Sequence, residues 1–376
     1  MVSNSSLKVW VMTNEFHPNI VGGLGIVATR LSKMLSNAGV KVKVICSGSS
    51  GKLVKSKAGG NMHIVRLPKN VQHFNHSTRA FKASAVLRAA VGASWGKPDL
   101  IHVHSVDFAD AAAAARNKFR APVVYTVHSN VSGGPQSKSG KNQAKLIRGA
   151  TRIVVPSRWQ AIATRKRYGG SQGRFVVIPH GVNAVSMQTR GAPEHLLYVG
   201  RIIPSKGIKS LIKAIALLSH SRKNVRLTVV GSGKKSYMNH LRTFAKQLGV
   251  SERIRWMGSR PNEAILRMYP SYGAVIVPSE TESFCLVALE AMASGVPLVS
   301  TLSGGLKEFV NNRNAHVISS VNGPTIARAI AAMWNNKKMT KKRLIYAKAT
   351  ASRYRWHEIA QRYRSMFLGL KRVRTT

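Results

Sequence analysis

The densest chemistry in this sequence lies in residues 278–297, PSETESFCLVALEAMASGVP. An apolar run ends at Pro278, a polar loop carries Glu282, and a helical pattern starts near Phe284. The first amides of a helix have no partner inside it, and its dipole favours negative charge there. This is therefore a place for an anion such as a diphosphate. Glu290 follows Glu282 at a spacing of two helical turns and is expected on the same side, setting carboxylates at two distances from the anion. Carboxylates accept hydrogen bonds from vicinal hydroxyls, so one would hold a sugar and the other a ribose. A capping glutamate and an exposed helical glutamate are the plain alternative for either residue alone. Among only 12 acids, Glu15, Asp107, Glu280 and Glu282 fall on loops directly after apolar runs, as do His104 and His128, which also suit satisfied core histidines. Asp107 and Asp110 do not form a D-x-D, and no His/carboxylate cluster has metal-ligand spacing, so a metal-independent reaction without a resident cofactor is expected.

Strands and helices must alternate to position these loops. KVWVM at 8–12 reads as a buried strand, a loop reaches the Gly22–Gly23 pair, and Leu24, Val27, Ala28, Leu31, Met34 and Leu35 recur at helical spacing up to Gly39. Strand–helix alternation continues through 100–104, 108–119, 122–127 and 152–155, lapses into the polar stretch 183–195, and resumes from His195 to Val310. The last fifty residues read as helices, with Trp356, Ile359, Tyr363 and Phe367 on one stripe. The fold class is α/β: two Rossmann-like domains facing across a cleft, residues 1–185 and 186–345, followed by a helical segment, 346–376. In such sheets ligands bind at the carboxyl ends of strands.

Ordered motifs along the chain now resemble one family, the GT-B retaining glycosyltransferases of the family-4 type, which implies that residues 1–185 take the acceptor, that 186–345 take the donor and that 346–376 crosses back to the first domain. Glu282-Ser-Phe-Cys-Leu-Val-Ala-Leu-Glu290 resembles its E-x7-E signature, and Tyr198-Val-Gly-Arg-Ile-Ile-Pro-Ser-Lys206-Gly its G-R…K-G motif. Val177-Ile-Pro-His-Gly-Val-Asn183 resembles V-I-P-N-G-V-D, Glu15-Phe-His-Pro…Gly22-Gly-Leu-Gly25 the glycine loop, and Tyr125-Thr-Val-His128 the T-x-H. Val229–Gly233, Ser303–Glu308 and Trp356-His-Glu fit as well. The resemblance implies that Arg201 and Lys206 neutralise the donor diphosphate, and that Glu282 with the amides of Phe284, Cys285 and Leu286 holds sugar and phosphate. It further implies that Glu290 binds ribose, that the backbone near Arg260 meets the base, that Gly22 and Gly23 let amides approach the phosphate, and that His128 contacts the transferred sugar or the acceptor. Three departures stand out. Cys285 replaces the family's usual glycine, the H-x-H-D variant reads His102-Val-His104-Ser105 with Asp107 as the only stand-in acid, and Ile20 occupies the lysine position of glycogen and starch synthases. The implied activity is retaining transfer of a hexose from a nucleotide diphosphate sugar, the co-substrate, to a glycan, lipid-linked or small-molecule hydroxyl. The alternatives are α-glucan or disaccharide-phosphate synthesis from ADP-glucose, and an inactive scaffold that binds polyanions.

The charge is unusual. The 376 residues carry 59 Lys and Arg against 12 acids, a net +47, yet charged residues make up only 19%, so the imbalance comes from missing acids rather than a basic insert. Basic surfaces are expected at 141–167 and at 337–374, where 13 bases face Glu358 alone. They suit an anionic membrane, at about 1 kcal/mol per base near the surface, or a polyanionic glycan. With no recognised module, nucleic acid is not expected. The segment 77–95, STRAFKASAVLRAAVGASW, is amphipathic and reads either as an interfacial helix or, by preference, as a core-packing one. Two cysteines, no signal-peptide pattern and no run of about 18 apolar residues lead to the expectation of a cytoplasmic protein, peripheral at the inner membrane face.

Overall fold

The computed structural model describes residues 6–70, 72–92, 95–183 and 191–375. The chain forms two compact units, one running to His180 and resumed from Trp356, the other spanning Gly181–Arg355. Much of the 183–195 stretch read as a boundary lies outside the described residues, as do Ala93 and Ser94 of the 77–95 segment.

The first unit opens with β1 (Lys8–Thr13), α1 (Gly23–Asn37) and β2 (Lys41–Ser47), followed by β3 (Val54–Lys57), β4 (Met62–Leu67), a small hairpin of β5 (Phe74–Asn75) and β6 (Ala80–Phe81), and α2 (Ala83–Val91). It continues with β7 (Leu100–Val103), α3 (Ala109–Phe119), β8 (Val123–Thr126), α4 (Lys138–Gly149), β9 (Arg152–Val155), α5 (Arg158–Tyr168) and β10 (Phe175–Val177). The sheet order is β10-β9-β8-β7-β1-β2-β4-β3, parallel throughout except for β3, which pairs antiparallel with β4. The apolar runs of β1, β7 and β8 are buried on both faces, which explains why they do not alternate. β1 lies between β2 and β7, so the winding reverses there. In α2, Ala85, Val86, Ala89 and Ala90 join the core beside Phe81, so the 77–95 segment packs inward.

The second unit contains β11 (His195–Val199), α6 (Ile208–Ser221), β12 (Arg226–Val230), α7 (Lys235–Gln247), β13 (Ile254–Gly258), α8 (Asn262–Met268), β14 (Ala274–Val277), α9 (Leu286–Ala293), β15 (Leu298–Thr301), β16 (His316–Ile318), α10 (Gly323–Asn335) and α11 (Lys337–Ala351). Its sheet, β13-β12-β11-β14-β15-β16, is all parallel and reverses between β11 and β14. The helix expected at 306–310 is a short 3-10 turn, Gly304–Glu308, because Gly304 takes a left-handed φ of 58° that an α-helix cannot continue through.

The final helix, α12 (Trp356–Thr375), returns to the first unit and packs on α1 and β7. Its stripe of Trp356, Ile359, Tyr363 and Phe367 is buried, with the Phe367 ring 5.3 Å from His102 and the Tyr363 hydroxyl 3.3 Å from Thr126 Oγ1. Phe367→Ala is expected to destabilise the first unit by about 3–5 kcal/mol, because a fully buried ring leaves a cavity; urea unfolding followed by circular dichroism reads the loss.

Candidate active site

In the second unit, β11 and β14 are the neighbours at which the winding reverses, so their following loops diverge and leave a crevice at the carboxyl edge. The loop after β11 carries Arg201 and then a tight 3-10 turn, Pro204–Lys206. The loop after β14 carries Glu282 and ends at α9. These loops lock together through backbone. Gly207 has φ 69°, and a side chain there would collide with the Pro278 carbonyl oxygen. The Glu280 N–H donates to Ser205 O at 2.9 Å, and on the other flank the Gly305 N–H donates to Glu282 O at 2.8 Å. So placed, the Lys206 ammonium lies 2.6 Å from Glu282 Oε1, to which Ser279 Oγ also donates at 2.8 Å. Both charged side chains are largely withdrawn from water, at 15% and 12% exposure.

α9 starts at Leu286, and Cys285 before it takes φ 85°, the left-handed region that favours glycine. Glu282 is therefore a loop residue, and the expected two-turn helical spacing to Glu290 does not hold; Glu290 sits in the second turn of α9. The backbone explains why the family pattern has glycine at position 285: a side chain there costs about 1–2 kcal/mol. The start of α9 carries no acid and no side-chain cap, so the amides at Leu286 and beyond keep their affinity for an anion. The Phe284 ring is core, packed 5.0 Å from Phe309, so only its backbone can serve a ligand. Burial, and then the Glu282 carboxylate, push the Cys285 thiol well above its ordinary range and keep it protonated. The Tyr198 phenol is raised by burial first and then by Glu282, with Arg201 opposing, so Glu282 and Arg201 act on one spot.

Glu290 is buried and anchored by partners that sequence reasoning missed: Tyr269 OH donates to Oε2 at 2.9 Å and Asn262 Nδ2 to Oε1 at 3.0 Å. Burial and the adjacent carboxylate hold the Tyr269 phenol protonated. Arg201 and Arg260 lie exposed on loops.

Gly22, Gly23 and His128 belong to the first unit. The expected use of Gly22 needs amending, because its N–H already donates to Glu15 Oε2 at 2.9 Å, as does that of Val21. Gly25 packs directly on the Glu15 side chain, so Glu15 is the strut of the glycine loop. Gly23 opens α1, where amides again lack helical partners. His128 stands in a row of histidines. Its Nε2 shares a 2.9 Å hydrogen bond with His104 Nδ1, His180 stacks on its ring at 5.3 Å between centroids, and His102 lies 4.1 Å from His104. Asp107 does not complete the motif as a stand-in acid; its carboxylate faces Asn14 and Lys69. Burial first, and then the neighbouring imidazoles, hold His104 and His128 well below the ordinary histidine value, while burial takes His180 to about 3. The row is therefore neutral at pH 7. Among the described residues no group of three or more His, Cys, Asp or Glu is arranged to hold a metal ion.

Two outcomes follow. Cys285→Gly is expected to raise stability by about 1 kcal/mol by relieving the left-handed strain, whereas Cys285→Ala gives no such gain; denaturant midpoints distinguish them. For His102 and His180, the unfolded chain binds protons below about pH 6.5 that the folded chain refuses until about pH 3, so stability is intact above that window and falls through it. His180→Asn is expected to shallow this acid slope by one proton, about 1.4 kcal/mol per pH unit, in urea titrations across the window.

Comparison with known proteins extends this geometry. A family described as "Glycosyltransferase Family 4" matches residues 21–185, and one described as "Glycosyl transferases group 1" matches 186–350. A D-inositol 3-phosphate glycosyltransferase of Frankia alni is 30% identical over 326 residues, covering 77% of this chain and 80% of that protein. A glycogen synthase of Mycobacterium tuberculosis is 25% identical over 398 residues, covering 97% and 95%. The solved structure of Anabaena HepE in complex with UDP-glucose superimposes with a TM-score of 0.78 at 20% identity, over 96% of this chain and 100% of that one. Among the described residues no helix is long and apolar enough to cross a membrane. The paired α/β units, the crevice with its lysine and glutamates, and these relationships agree: the chain belongs to the family 4, group 1 glycosyltransferases, GT-B enzymes of a retaining family that use nucleotide-sugar donors.

Proposed function

We propose that the chain transfers a hexose from a nucleoside diphosphate sugar to an acceptor hydroxyl with retention, the donor being held by the Gly181–Arg355 unit. The single observation that carries this reading is the Lys206–Glu282 pair beside the uncapped start of α9. A carboxylate that binds sugar hydroxyls, an ammonium and the start of a helix stand together where a sugar diphosphate presents hydroxyls and negative charge. Lys206 and Arg201 neutralise the diphosphate as its bond to the sugar breaks. Such stabilisation of developing charge is worth several kcal/mol in a site that excludes water. Glu282 orients the sugar, Glu290 takes the ribose, and the loop at Arg260 meets the base. The first unit supplies the acceptor side, with His128 as a neutral hydrogen-bonding group and Gly23 at the start of α1. The leaving diphosphate itself takes the acceptor proton on the face it departs from, so no enzyme carboxylate attacks the sugar.

The HepE complex makes UDP-glucose the first donor to try, and the glycogen synthase relative makes ADP-glucose the second. A thermal-shift screen of UDP-, GDP- and ADP-sugars is expected to show one base that raises the melting temperature, since a ligand bound only by the folded state stabilises it. That donor is then hydrolysed slowly to free nucleoside diphosphate and sugar, and with an acceptor present its sugar is transferred to the acceptor hydroxyl. Lys206→Ala and Glu282→Ala each lower turnover by about 10²–10³. Because either change leaves a buried charge unpaired, the Lys206→Ala/Glu282→Ala double variant is included; it is expected to stay folded and to be inactive. Failure of every donor to bind or turn over would leave the polyanion-binding scaffold instead.

A further inference from the structure

We propose that the outer face of α4 and α5, in the first unit, is a docking surface for an anionic lipid bilayer. The strand order β7-β8-β9-β10 runs steadily in one direction, and right-handed crossovers between parallel strands put α4 and α5 on the same side of the sheet. Neither helix contains an acidic residue. On α4, Lys138, Lys141, Lys145 and Arg148 are all exposed and fall within roughly a quarter turn at about 100° per residue. Lys145 reaches Asp110 on the neighbouring α3, and the other three bases line the same stripe. On α5, Arg158, Trp159, Ile162 and Lys166 are exposed and share one flank.

The two apolar residues decide the kind of partner. Ile162 is 66% exposed and Trp159 36%, one turn apart and set among bases. A polymeric anion would satisfy the lysines and arginines and leave Ile162 in water. A bilayer takes both: lipid phosphates meet the bases, Ile162 enters the acyl boundary, and the indole lies at headgroup depth with its N–H toward water. Ser157, which caps the start of α5, directly follows β9 and Pro156, so Trp159 stands at the carboxyl edge of the sheet, the edge that also bears His104 and His128. A docked membrane would thus lie beside the end of the unit at which these histidines cluster. The binding itself is read without turnover and does not depend on the donor.

The test uses the full chain with vesicles of phosphatidylcholine, with and without phosphatidylglycerol, by flotation at about 0.15 M salt, where the Debye length is about 8 Å. Wild type is expected to float with the anionic vesicles only. Trp159→Ser/Ile162→Ser is expected to bind them about tenfold more weakly while retaining wild-type affinity for inorganic polyphosphate. Lys138→Glu/Lys141→Glu/Arg148→Glu lowers vesicle binding and flattens its salt dependence. Trp159→Phe keeps binding and abolishes the blue shift of fluorescence seen when vesicles are added. All these side chains are exposed, and unchanged melting temperatures verify the fold. Wild-type vesicle binding by Trp159→Ser/Ile162→Ser would overturn the proposal in favour of a plain polyanion surface. Loss of binding on Lys338→Glu/Lys341→Glu/Lys342→Glu in α11, with none on the α4 variant, would overturn it in favour of another face.

Discussion

The ion pair between Lys206 and Glu282 constrains more of this protein than any other contact. Taking an ammonium and a carboxylate largely out of water costs several kcal/mol for each, and at 2.6 Å they offset that cost only together. Each is delivered by the loop of a different strand, so the pair forms only if β11 and β14 lie side by side with their windings diverging. Those strands are 79 residues apart by their first positions, His195 and Ala274, and what joins them is the core of the sheet rather than local sequence. In the proposed reaction an arriving diphosphate competes for Lys206, while Glu282 keeps Ser279 as a donor and turns its remaining capacity toward a sugar hydroxyl.

Close backbone approach sets the precision of the crevice. Gly207 lies against the Pro278 carbonyl and Gly304 against that of Glu282, and both have left-handed φ values, so these positions are closed to side chains on two separate grounds. Cys285 shows the opposite choice. It accepts a left-handed φ with a side chain attached, and its thiol stays protonated beside Glu282. The strain is local to the turn that aims the start of α9, a position at which backbone orientation decides where an anion would sit.

The first unit is organised around neutral polar groups. Its histidine row is buried and uncharged, its glycine loop hangs on one carboxylate, and the positive charge is exported to helix surfaces. This separation is physically consistent: with 59 bases and 12 acids, few cations can find partners inside, so they remain in water or meet an external anion. Lys43 is the exception, its amine buried, donating to Ala90 O at 2.8 Å and lying over the Trp10 ring, with burial lowering it to about 8.

Local pattern determined a good deal of this molecule. Apolar runs such as 8–12 and 274–277 could only be strands buried on both faces, the 3.6-residue stripe of 356–367 could only be a helix with one inward face, and the strand–helix alternation implied parallel sheets with loops at their carboxyl edges. Motif spacing placed Lys206 and Glu282 on such loops and Glu290 in the helix that follows. What only the tertiary structure decided are relations between distant segments, that Tyr269 and Asn262 clamp Glu290 and that His180 stacks on His128, and two details of loops, that Glu15 consumes the Gly22 amide and that Cys285 takes a left-handed φ. The reason is physical. Periodicity reports which face of an element is buried, but hydrogen bonds across 21 and 28 residues of chain, and the sign of φ at a single turn, are fixed by packing that no local window contains.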